Sequence, residues 1–169
     1  FEDTLDLIFP GGSNPLRNLG AIACLMFAIL LLSGIYLYAV FDTSVAGAWQ
    51  SVDALSRQQP WLGGWLRSMH RYAADGFMIA TVLHLVREWV MGHHSRFRRV
   101  TWLTGIPLLA FLYVSGIGGF WLNWDRLGQY AAVASAELLD ALPLLATSLS
   151  RNFLSAESVS DRLFSLLVF

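Results

Sequence analysis

Cysteine is nearly absent from this chain of 169 residues; Cys24 is the only one. That excludes an internal disulfide and any metal site built from paired thiolates, and it leaves the redox compartment unread. Cys24 sits in an apolar run, where a small packing residue is the simplest reading. Lysine is missing altogether, so all eleven basic residues are arginine. Charge is scarce, at 14% of residues, where soluble domains carry about 25%. A net charge of −1 offers no electrostatic footprint for nucleic acid. No signal-peptide pattern is present, and the chain opens FEDTLD without methionine, so we expect the native start to lie elsewhere.

What is abundant is apolar surface, 56% of residues, with a mean hydropathy of +0.53. Residues 18–41, NLGAIACLMFAILLLSGIYLYAVF, hold no charge over 24 residues, longer than the ~20 needed to cross a bilayer. This is helix A, preceded by a turn at Asn14-Pro15 and ended by Asp42. A connecting segment over 42–62 has a short amphipathic pattern of its own. Helix B is expected over 64–91, followed by the basic loop HHSRFRR, and helix C over 100–122. Pro107 falls early in helix C, where a helix tolerates it best. Residues 125–157 are polar enough to leave the membrane and hold short helices within about 129–154, split by Pro143. A new apolar run, LFSLLVF from Leu163, reads as the beginning of a fourth helix starting near 160. The expected fold is an all-α membrane protein, one domain over 1–169, with three transmembrane helices plus the start of a fourth. Arg96, Arg98 and Arg99 put the B–C loop and the N-terminus on the cytoplasmic side by the positive-inside rule.

Helix B is studded with polar groups that hydrocarbon disfavours. His70 and His84 are fourteen residues apart, a spacing within about 40° of whole turns and about 21 Å along the axis. One imidazole therefore lies near each membrane face. Gly20 and Gly34 in helix A share that spacing, and so do Gly105 and Gly119 in helix C. Since A and C run against B, each level receives one histidine and two positions without a side chain. Glycine allows close approach to something large and flat, and histidine is a standard axial ligand of haem iron. Arg67 and Arg87 stand three residues outward from the two histidines, placed to pair with haem propionates. Interhelical hydrogen bonding and plain small-residue packing are the competing explanation. They do not account for three helices sharing one spacing in compatible registers.

Weaker signals accompany these. His93 and His94 lie in a basic loop, where solvated surface is the favoured reading. Arg71 and Asp75 are four residues apart, the spacing of an ion pair; a proton relay is the sharper alternative. Phe120, Trp121 and Trp124 mark the outer membrane interface.

The segments LRSMHR (66–71), HLVREW (84–89), TWLTG (101–105), GFWLNWDRLGQYA (119–131) and ALPLLATSL (141–149) resemble the cytochrome b family. That family supplies the di-haem membrane subunit of quinol–cytochrome c and quinol–plastocyanin oxidoreductases, and the likeness is closest to its photosynthetic short form. The resemblance implies a four-helix di-haem b bundle. In it His70 would ligate a low-potential outer haem and His84 a high-potential inner haem. Arg67 and Arg87 would meet the propionates, with Trp102 near the inner ones. Quinol would be oxidised near the outer haem and quinone reduced near the inner haem. Partners would be an iron–sulfur protein or cytochrome c in a respiratory or photosynthetic complex of a bacterial inner membrane, with a homodimer as one assembly. Asn123 stands where the family has proline, beside the outer quinol pocket, and Asn18 where the short form has a haem-attaching cysteine. Asn18 leads us to expect no such attached haem; Asn123 and an altered fourth helix suggest, as an alternative, coupling to an iron–sulfur or dehydrogenase partner, and a haem-free structural subunit is a second alternative. No histidine follows His94. The second axial histidines are therefore expected beyond residue 169, the first within about one turn and the next about 14 residues later.

Overall fold

The computed structural model describes residues 14–94, 99–141 and 143. Among them are five α-helices and no strand: α1 Leu19–Val40, α2 Ala48–Gln58, α3 Trp65–Val90, α4 Arg99–Trp121 and α5 Arg126–Asp140. A single π-helical turn, Pro60–Gly64, joins α2 to α3, with Gly64 N–H bonded to Gln59 C=O at 3.0 Å. Helices A, B and C are thus α1, α3 and α4. The amphipathic pattern after helix A forms α2, and that after helix C forms α5. The short helix expected after Pro143 and the fourth helix lie outside the described residues.

Each boundary has a local cause. Asn14 accepts the Leu16 N–H on its side-chain oxygen at 3.0 Å, closing the turn before α1. Asp125 caps α5 by accepting the Gly128 N–H at 2.7 Å. Before that cap the backbone passes through Trp124 at φ 46, a left-handed conformation uncommon for a bulky residue. Pro107 is the ninth residue of α4, an interior position rather than the first turn. The helix continues through it, at the cost of the hydrogen bond that its missing N–H cannot make.

Two of these helices, α1 and α4, are long and apolar enough to cross a membrane. Their large side chains are mostly exposed, among them Leu32 and Phe111, as expected of helices solvated by lipid. Apart from Leu19 at the start of α1, the buried positions of α1, α3 and α4 are small: Ser33 on α1, Ala73 and Ala80 on α3, Gly118 on α4. Without a hydrophobic drive between helices in lipid, small residues bring the backbones close enough to pack.

The chain divides into two compact units, one of Phe1–Ile35 with Leu66–Val114, the other of Tyr36–Trp65 with Ser115–Phe169. In the first, α1 and α3 run antiparallel. Their contacts step in register: Gly20 with His84, Met26 with Gly76, Phe27 with Phe77, Gly34 with His70. In the second, Tyr36 donates to Gln59 Oε1 at 3.0 Å, and the backbone at Gly63 lies so close to Leu55 that a Cβ would collide with its side chain.

Candidate functional site

Both histidines project from α3 toward α1. A Cβ built on Gly34 would stand 3.3 Å from His70 Cε1, and one on Gly20 3.4 Å from His84 Cε1. The absent side chains on α1 are what let each imidazole lie against its backbone. Gly105 of α4 faces the same unit differently: its Cβ would stand 3.1 Å from Leu85 Cδ1, one residue along from His84. Gly119 is exposed, and a Cβ there would meet nothing within 4 Å.

The two imidazoles have different surroundings. His70 Nδ1 lies 2.9 Å from Ser33 Oγ, and Ser33 is buried at 1% exposure. His84 Nδ1 is buried with no hydrogen-bond partner. Arg67 is half-buried one turn before His70. Arg71 and Asp75 are both exposed, and the ion pair expected between them is not formed among the described residues. The order of the pair explains this, since an acid N-terminal to its base is the better helical arrangement and here the base comes first.

At the C-terminal end of α3 the fold assembles a cluster that periodicity does not reveal. Gly92 adopts φ 76 just beyond the helix. Gly92 N–H bonds to Trp89 C=O and His93 N–H to Glu88 C=O, both at 3.0 Å, the two bonds of a Schellman motif. The turn folds His93 back over the helix, placing its Nδ1 2.6 Å from Glu88 Oε2. Glu88 Oε1 also takes a bond from Arg87 Nη1 at 3.1 Å. His93 is therefore not a solvated loop residue but tied to Glu88. His94 is exposed, as expected, yet its ring packs between Trp89 and Trp102 with centroids 6.3 and 6.1 Å away. Trp102 Nε1 reaches Leu85 C=O at 3.4 Å. Gly92 was the available sequence signal for this turn; Glu88 itself carried none.

Paired imidazoles on one antiparallel helix, each set against a glycine of its neighbour, agree with the comparisons to known proteins. The family described as Cytochrome b/b6/petB matches residues 4–169. The chain belongs to the cytochrome b family. Cytochrome b6 of Synechococcus elongatus is 28% identical over 173 residues, covering 99% of this chain and 80% of that protein. Cytochrome b6 of Gloeobacter violaceus is 32% identical over 146 residues, covering 85% of this chain and 66% of that one. Among solved structures, a chain of a hyperthermophilic respiratory Complex III superposes with a TM-score of 0.79 at 22% identity. That match covers 90% of this chain and 41% of the Complex III chain, and it establishes a shared fold.

Membership makes this an integral membrane protein and implies haem b. The residues fit such a group. Ser33 occupies His70 Nδ1, so Nε2 is the nitrogen that could meet a metal, and each imidazole is backed by a glycine of α1.

Proposed function

We propose that this cytochrome b chain binds two b-type haems, one through His70 and one through His84, and carries electrons between the membrane faces in exchange with the quinone pool. The observation that carries the reading is the register of α1 on α3. It sets two imidazoles fourteen residues apart, each against a glycine. The bound haems would supply reversible one-electron redox chemistry at iron. The chain does the rest. His70 and His84 would each offer an imidazole nitrogen to a haem iron. Gly20 and Gly34 keep side-chain bulk away from the imidazoles, and Gly105 and Gly119 on α4 would leave room for the haems. Arg67 and Arg87 would hold propionates, with Trp102 beside the inner pair. The lipid-facing side chains of α1 and α4 keep the interior dry.

In this reading the chain is one subunit of a redox complex in a bacterial inner membrane, working with an iron–sulfur protein or cytochrome c. Asn123 in place of proline favours, as a second reading, coupling to an iron–sulfur or dehydrogenase partner without an active outer quinol site. Partner identification in the purified complex separates the two. The central claim is tested by pyridine haemochrome content. His70→Ala and His84→Ala should each lose one haem of two, and unchanged content in both variants would overturn it.

A further inference from the structure

Ser33 has a single hydroxyl proton and three neighbours competing for it. Its Oγ lies 2.6 Å from Ile29 C=O, 3.3 Å from Leu30 C=O and 2.9 Å from His70 Nδ1. The carbonyls can only accept, so the proton goes to α1's own backbone, mostly to Ile29. The oxygen lone pair then faces His70, which must donate from Nδ1–H. That fixes the tautomer of His70 and leaves the lone pair on Nε2. Burial of Ser33 at 1% exposure keeps water from competing for either bond.

The inner site lacks this arrangement. Gly20 stands to His84 as Gly34 stands to His70. The residue preceding Gly20 is Leu19, buried and without a polar side-chain atom, where Ser33 precedes Gly34. His84 Nδ1 accordingly has no partner. Two imidazoles that the spacing makes equivalent are distinguished by the residue beside the glycine.

A histidine whose second nitrogen donates a hydrogen bond is a more basic ligand, and a stronger donor stabilises oxidised iron and lowers its potential. We infer that Ser33 is a positioning residue that fixes the His70 tautomer and lowers the potential of the haem held there. The inference rests on the haem ligation proposed above.

The test is an equilibrium redox titration of the purified complex carrying Ser33→Ala, Ser33→Thr or Leu19→Ser. Ser33→Ala should make reduction of the His70 haem about tenfold more favourable, about 59 mV for one electron, and leave the His84 haem unmoved. Ser33→Thr retains the hydroxyl and should restore the native value. Leu19→Ser should lower the potential of the His84 haem instead. Unchanged potentials in both Ser33→Ala and Leu19→Ser, with both haems bound, overturn the role of Ser33. So does equal loss of the His70 haem in Ser33→Ala and Ser33→Thr, which marks a packing role. Absence of haem from the native complex would instead bring down the ligation itself.

Discussion

Arg87 and Glu88 set opposite charges side by side at the C-terminal end of α3, with Nη1 and Oε1 3.1 Å apart and both side chains 21% exposed. A positive charge near a haem favours the reduced, electron-rich state, and a carboxylate opposes it. Arg87 alone would raise the potential at His84; Glu88 offsets part of that effect while His93 braces the carboxylate at 2.6 Å. Arg87→Gln should therefore lower the potential of the inner haem, and Glu88→Gln should raise it by up to about 59 mV, a tenfold change for one electron. Redox titration of the two variants reads both signs. Shifts in the same direction would show that the pair acts through structure rather than charge.

The matched registers of α1 and α3 make the glycines unequal in what they tolerate. Around Gly34 and Gly20 the nearest atoms to an added Cβ belong to the imidazoles, at 3.3 and 3.4 Å. A branched side chain there must displace a ring wedged between two helices. Gly34→Leu should lower haem retention at His70 selectively, and Gly20→Leu at His84, as read from haem content and the split of potentials in the remaining pool. Equal loss of both haems in both variants would indicate general helix separation. At Gly105 the neighbour is the flexible end of Leu85, and at Gly119 no atom lies within 4 Å. Bulk at Gly105 must push Leu85 aside, whereas any intolerance at Gly119 must come from beyond the described residues.

For the whole molecule, charge decides orientation and hydropathy decides insertion. Both α1 and α4 pass the length and polarity requirements of a membrane span. Between them α3 carries Arg67, Arg71, Asp75, Arg87 and Glu88, so its insertion depends on neighbours. The positive-inside rule predicts that the turn after α3 faces the cytoplasm and α2 the opposite side. In a chain with Cys24 replaced by Ala, Met91→Cys should react with a membrane-impermeant maleimide only from the cytoplasmic face, and Gln58→Cys only from the other. Both positions are exposed. Labelling of both from one face would refute the orientation.

Much of this architecture was legible as one-dimensional pattern. A charge-free run over 18–41 delimited α1, observed as Leu19–Val40, to within a residue at each end. The expected 64–91 and 100–122 became Trp65–Val90 and Arg99–Trp121, because hydrophobic length and helix-ending residues act locally. The fourteen-residue spacing already put His70 and His84 on one face of one helix, since rise and twist are fixed by the backbone. What the spacing could not decide was which atoms meet. Arg71 and Asp75 have ion-pair spacing yet stay apart, because proximity along a helix does not choose a rotamer. Glu88 meets His93 only because the turn at Gly92 reverses the chain. Ser33 finds His70 only because Gly34 lets α1 approach α3 in one particular register. Sequence set the period of the pattern; contact between helices, which depends on side-chain volume and backbone approach between residues 37 positions apart, decided which of two similar histidines is anchored.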